Sequence, residues 1–204
     1  FNLSHTYADN GQFDVVVTVT DSFGLFDTKT TRVTVKARRV TPDRGVLSAP
    51  GKPSTRVTAI VTCLRRNAAF RSELGLFVAD DASGRIGALH PGDPGYARAA
   101  LSRRKVIFNR NQGRGAVLSL KLKGRSSFGF YLVQNGSSKD FLSRNHAQHR
   151  PAVFFSLAVA NTDRFGHMRR FSNVDFGFED MARGGDQDFD DLVFRIRFAA
   201  FSGA

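Results

Sequence analysis

Tryptophan is absent from this 204-residue chain and Cys63 is its single cysteine, so no intrachain disulfide can staple the fold. Long apolar runs are missing too; none approaches the roughly 20 residues that a membrane-crossing helix requires. The stretch that starts at Phe1 does not itself show the basic and apolar regions of a signal peptide, and we expect Phe1 to lie inside a longer gene product. What is plentiful is phenylalanine, 20 residues, together with β-branched residues in short runs between clusters of Gly, Pro, Asn, Asp and Ser. That punctuation predicts an all-β protein, and the length allows one sizeable core with part of a second domain.

Acidic residues are outnumbered, 18 against 30 Lys and Arg, which leaves a net charge of +12. The basic residues fall in scattered pairs rather than in one run interleaved with aromatics, so the footprint of a specific nucleic-acid binder is missing. The pairs Arg38 and Arg39, Arg65 and Arg66, Arg103 and Arg104, and Arg169 and Arg170 remain candidate contacts to a polyanion or a partner. The sign reverses between Asp175 and Asp191, where seven carboxylates face only Arg183. That segment carries about −6 and leaves about +18 for the rest.

Along the chain, Phe13, Val15, Val17 and Val19 alternate with more polar neighbours, Asp21 to Gly24 supply turn chemistry, and Thr31, Val33 and Val35 resume the alternation. Residues 13–35 are therefore expected to form a β-hairpin. Together with His5-Thr6-Tyr7-Ala8-Asp9-Asn10-Gly11, this stretch resembles the C-terminal half of a PKD-type immunoglobulin-like domain. The resemblance implies a tyrosine corner at Tyr7 and a partial domain over 1–36. Residues 37–56, rich in Pro, Gly and Arg, are expected to be a basic linker, and residues 57–204 a β-sandwich or jelly-roll-like domain. Its strands are predicted at 57–64, 74–78, 106–108, 116–122, 128–133, 153–159 and 192–198, with one short helix over 96–102.

The densest chemistry lies in Phe178-Glu179-Asp180-Met181-Ala182-Arg183-Gly184-Gly185-Asp186-Gln187-Asp188-Phe189-Asp190-Asp191. Glu179, Asp180, Asp186, Asp188, Asp190 and Asp191 would repel one another without a counter-charge. A hard cation takes six to eight oxygens, and paired glycines let a backbone curl around it, so calcium is the expected cofactor. Magnesium keeps more of its waters, and zinc would want Cys or His, of which the loop has none. An EF-hand is excluded: reading Asp186, Asp188 and Asp190 as its first ligands puts Asp191 where glycine is needed and Arg197 where the bidentate glutamate should stand. The competing reading is a solvated acidic turn paired with Arg183, Arg195 or Arg197. Glu73, Asp80, Asp81 and Asp163 are further candidates for an ion or for bracing the loop.

Residues Phe178 to Phe194 resemble the closing pattern of the bacterial domain of unknown function forty-one fourteen. Further matching stretches are Glu73 to Phe77 with Asp80, Asp81 and Gly84 to Gly87, Pro91 to Tyr96 through Ala100 to Arg103, Gly129 to Gly136, and Phe154 to Ser156 with Ala160 and Asn161. The resemblance spans about 57–198. It implies a β-rich module of secreted, surface-attached or matrix proteins, often beside adhesin-type domains, with calcium in its acidic loop. This chain departs from the pattern at Asp190, where Asn is frequent, and in its basicity.

Catalytic signatures are lacking. Gly-x-Ser-x-Gly and the phosphate-binding glycine-lysine loop are absent, Cys63 falls in an apolar strand, and His146 with His149 shows no third ligand. His167 is expected to brace the acidic loop or to lie in a turn. The expectation is thus a non-enzymatic, calcium-binding structural module at the cell surface or outside it, serving adhesion or matrix attachment with a surface glycan or neighbouring subunits as partner. The alternatives are a structural subunit of an extracellular assembly docking through its basic surface, and a binder of acidic glycan or nucleic acid.

Overall fold

The computed structural model describes residues 11–35, 45–143 and 151–199. The chain divides into two units, Phe1–Thr41 and Pro42–Ala204. In the first, β1 (Gly11–Thr20) and β2 (Phe26–Val35) form the expected antiparallel hairpin, with Val15 opposite Thr31 and Val19 opposite Asp27. Asp21 makes the turn by accepting hydrogen bonds from the amides of Phe23 and Leu25 at 2.8 and 2.9 Å. Tyr7, and with it the predicted corner, lies outside the described residues.

The second unit is a two-layer β structure. One sheet has the order β10-β11-β12-β4-β7 and the other β3-β8-β5-β6, with β9 also on β8. The strands are β3 (Val46–Ser48), β4 (Arg56–Arg65), β5 (Glu73–Ala79), β6 (Arg104–Phe108), β7 (Val117–Lys123), β8 (Ser127–Val133), β9 (Val153–Phe155), β10 (Met168–Arg170), β11 (Asp175–Phe178) and β12 (Leu192–Phe198). Helix α1 (Tyr96–Ser102) follows β5, and α2 (Ser138–Leu142) follows β8. The layers meet through inward residues of both sheets: Val57, Ala59 and Val61 of β4 and Phe194 and Ile196 of β12 against Leu74, Leu76, Phe128 and Phe130. Phe130 and Phe194 touch edge to face with centroids 4.8 Å apart. Burying each such side chain contributes about 1.5–3 kcal/mol.

The two sheets differ in how they are covered. In β4 every second residue is buried, as one-sided packing requires, whereas β5 and β8 are buried almost throughout. The outer face of the second sheet is roofed by Tyr96, Ala100 and Leu101 of α1, with Ile86 and Leu157, over Phe77, Tyr131 and Phe155.

Two sequence expectations need correction. The linker over 37–56 contains a strand, since Val46–Ser48 pairs with β8 and Ala49 is buried. A three-residue strand between Gly45 and Pro50 is too short to leave a period-two signature. The strand predicted over 153–159 stops at Phe155, where the Asn161 side chain bonds both the amide and the carbonyl of Phe155 and the chain turns into a 3-10 helix at Ala158–Ala160. β10, β11 and α2 were not predicted, although Ser137 and Asp140 form a capping box that marks α2 in the sequence.

Candidate metal centre

β11 and β12 are antiparallel neighbours with Phe178 opposite Leu192, so residues 179–191 leave the sheet and return at the same end. The amide of Asp180 donates to Asp191 Oδ2 at 2.8 Å, and the amides of Asn67 and Ala68 donate to the Asp191 carbonyl. The mouth of the loop is thereby closed. Inside it the backbone turns repeatedly through the left-handed region, at Arg183, Gly184, Gly185, Gln187 and Phe189. Phe189 pins the returning limb: it is buried, lies flat against Phe165 with centroids 6.3 Å apart, and has the Arg169 guanidinium 4.0 Å from its ring centre. Gly177 on β11 leaves room for the Phe189 carbonyl against the strand.

This path brings carboxylate oxygens of Glu179, Asp186 and Asp188 within 4.8 Å of one another. Glu179 is 1 % exposed while the two aspartates are open to solvent, so the cluster has a deep wall and an accessible mouth. Glu179 Oε1 accepts the Phe189 amide at 2.5 Å. Glycine at 185 keeps its other oxygen uncovered, because a Cβ there would stand 3.2 Å from Oε2. Among the described residues no Lys or Arg forms an ion pair with any of the three.

The electrostatics follow from that isolation. Burial pushes the Glu179 carboxyl up to about 7, against the opposing Phe189 hydrogen bond and with help from the charges of Asp191, Asp186 and Asp188. Burial also pushes Asp180 up to about 6, with Asp191 adding to it and the Ser72 hydroxyl and Arg66 opposing. Asp191 is raised by burial and by repulsion from Asp186 and Asp188. A divalent cation at the cluster would reverse the penalty on Glu179.

The six candidate ligands therefore separate. Glu179, Asp186 and Asp188 converge. Asp180 and Asp191 tie the loop ends, Asp180 also accepting from Ser72 Oγ at 3.2 Å and, through its carbonyl, from Gln134 Nε2 at 2.6 Å. Asp190 is occupied by Arg65 at 2.6 Å and Asn67 at 3.1 Å. The pairing foreseen with Arg195 does not occur, since that guanidinium holds Asp175 on the sheet.

Of the further candidates, Asp163 braces the loop. It accepts the Arg183 amide at 2.8 Å and meets His167 Nε2 at 3.0 Å, while His167 Nδ1 lies 3.0 Å from the Glu179 carbonyl. His167 is fully buried and stacks on Phe154 with centroids 3.9 Å apart. Burial works against the Asp163 carboxylate, but the amides of Arg183 and Phe165 and the His167 ring outweigh it and hold the group below its usual range. Glu73, buried elsewhere, accepts from Tyr131 Oη and the Ser138 amide at 3.0 and 3.1 Å and so anchors α2. Asp80 is held by Arg103 and the Gly87 amide, and Asp81 by Ser83 and Arg85. None of these three joins the cluster.

The arginine pairs also read differently in three dimensions. Arg65 and Arg103 are in ion pairs, Arg66 and Arg104 donate to backbone carbonyls, and Arg169 and Arg170 lie over Phe189 and Phe176. Each of these six thus has a contact within the protein itself. Arg38, Arg39, His146 and His149 lie outside the described residues. Sequence reasoning missed Ser72, Gln134 and Asn67 at the loop, because nothing local marks a polar residue as the neighbour of a loop more than 40 positions away.

Residues 122–199 match the model of the family described as Domain of unknown function (DUF4114). The match contains the whole acidic loop and β8 to β12, while the resemblance seen from Glu73 to Arg103 lies N-terminal to it. No curated protein matches the chain, and no solved structure does.

Proposed function

We propose that the second unit is a non-enzymatic calcium-binding β module of a secreted or cell-surface protein, serving adhesion or matrix attachment. The observation that carries the ion is the convergence of Glu179, Asp186 and Asp188, one buried and two exposed, without a cationic side chain among them. Three carboxylates, with backbone carbonyls and water to complete the shell, make an all-oxygen donor set that suits calcium. The loop offers no thiolate, and the imidazole of His167 beside it has both ring nitrogens against protein oxygens.

Bound there, the ion neutralises the loop and holds it against β11 and β12; its role is architectural. Loops at that end of the sandwich are then rigid enough to meet a partner. The surface location and the adhesive role are supported by the family resemblance carried by Phe178 to Phe194.

Binding to the folded state alone stabilises it by about 2.7 kcal/mol when the free ion is at a hundred times its Kd. For a chain of this length that is a rise in melting midpoint of about 5–10 °C. Calorimetric titration with calcium and with magnesium, followed by melting in millimolar calcium and in chelator, tests the reading. Saturable calcium binding with a raised midpoint is expected. Identical midpoints in calcium and in chelator would sink it.

A further inference from the structure

We propose that the outward face of the adjacent strands β12, β4 and β7 is a docking surface for a linear acidic polysaccharide. Its layout follows from strand register. In β4 the buried Val57, Ala59, Val61 and Cys63 put Arg56, Thr58, Ile60 and Thr62 on the opposite side. Pairing then sets Arg56 against Lys123 and Thr58 against Lys121 on β7, and Arg197 of β12 against Ile60. Arg56, Lys121, Lys123 and Arg197 all stand exposed on one face of three adjacent strands.

Arg56, Lys121 and Lys123 are uncompensated, and Arg197 has near it only the Asp175 carboxylate, which is already paired with Arg195. The outward positions of β4, β7 and β12 hold no carboxylate, and among the described residues none of the four enters an ion pair or a side-chain hydrogen bond. The acid nearest this face on β11, Asp175, is taken by Arg195 through bonds of 2.6 and 2.9 Å. Arg56 and Lys123 are like charges set directly across a strand pair, an arrangement that weakens a sheet. Folding gains nothing from it, whereas an anionic partner does. The contrast with the paired arginines is plain: Arg65 and Arg103 are neutralised within the chain, and this face is left for something outside it.

The geometry favours a glycan over other polyanions. Successive cations lie about 7 Å apart along β7 and about 5 Å apart across to β4, a shallow grid suited to an extended chain with repeating anionic groups. Hydroxyls of Thr58, Thr62 and Ser119 stand between the cations and can meet sugar hydroxyls. The outward positions of these three strands carry no aromatic ring on which a base could stack, and a flat sheet face presents nothing to enter a duplex groove. Its large apolar side chains, Ile60 and Val117, are 37 % and 57 % exposed, too little surface to insert into lipid. This inference goes beyond the ion reading and does not depend on it, since none of the three converging carboxylates belongs to β12, β4 or β7.

The test uses the intact chain and heparin as the probe, across a salt series, once in calcium and once in chelator so that the two readings fail separately. Heparin binding that weakens steeply with salt is expected in both conditions. The triple variant R56S/K121S/K123S should bind about tenfold or more weakly. The charge-matched variant K105S/R110S/K139S, whose residues are also exposed but lie on β6, in the turn after it and on α2, should bind nearly as the parent does. An equal loss in both variants overturns the proposal, because net charge would then suffice. So does an absence of heparin binding at low salt, or competition by duplex DNA or phosphatidylserine vesicles that matches heparin charge for charge.

Discussion

The turn from Asp80 to Gly87 and the loop from Glu179 to Asp191 are built from the same materials, aspartates among glycines, and they resolve their charge in opposite ways. In the first, Arg103 and Arg85 lie against the carboxylates, and amides of Ser83, Arg85 and Gly87 point at them. The Gly87 amide and Arg103 hold Asp80 below its usual range, and Ser83 and Arg85 do the same for Asp81. In the second, burial and mutual repulsion push Glu179, Asp180 and Asp191 upward. An acidic turn is therefore not in itself an ion site; what distinguishes the second is a buried carboxylate that no cation of the protein reaches.

The largest effect should come from deleting that distinction. E179Q/D186N/D188N should lose the whole calcium-dependent gain, about 3 kcal/mol at saturating ion, while D80N/D81N keeps it. Melting both variants in calcium and in chelator decides between them. A retained calcium response in the first variant would place the ion elsewhere.

Next in size, H167A should cost about 2–3 kcal/mol in urea unfolding, because it removes a fully buried ring stacked on Phe154, takes from the Glu179 carbonyl its contact with Nδ1 and leaves Asp163 with only the amides of Arg183 and Phe165. If the ring matters only for packing, H167F should restore most of the loss; if it matters as the link between Asp163 and the loop, H167F should restore little and calcium affinity should fall as well.

The gentlest test is pH, and here the two regions oppose each other in sign. Glu179 and Asp180 titrate near 7 and 6 in the folded chain, above their ordinary 4.5 and 3.8, so the folded state retains protons that the unfolded chain has released. In chelator, stability should consequently fall as pH rises from about 4 to about 7. The lowered Asp80, Asp81 and Asp175 contribute stability that is full above about 4 and lost as pH falls below it. Chemical unfolding across this range should show a maximum near the lower end in chelator, and calcium should flatten the neutral limb. A rise in stability from pH 4 to 7 in chelator would contradict the isolation of Glu179.

Much of the fold could be read from alternation. The spans of β4, β5, β8 and β12 and of α1 emerge from hydrophobic period and turn residues, because each buries a face long enough to leave a pattern. β3 and β10 are three residues each and leave none. The acidic loop was equally legible, since six carboxylates in one short stretch need explanation whatever the fold. Its division was not, because Arg65 and Asn67, which occupy Asp190, are 125 and 123 positions away.

The arginines carry the same lesson. Doublets drew the eye in the sequence, yet Arg65, Arg103 and Arg169 serve internal contacts, while the exposed cations of the sheet face are dispersed at positions 56, 121, 123 and 197. Only strand register gathers them.

By itself the sequence determined the all-β class, the absence of a disulfide within these 204 residues and the position of the one strongly acidic loop in a basic chain, since composition and short-range periodicity are local properties. Which carboxylates converge, which are neutralised and which cations share a face was decided by tertiary structure alone. Charges interact through space, and antiparallel pairing makes neighbours of residues that the chain keeps far apart.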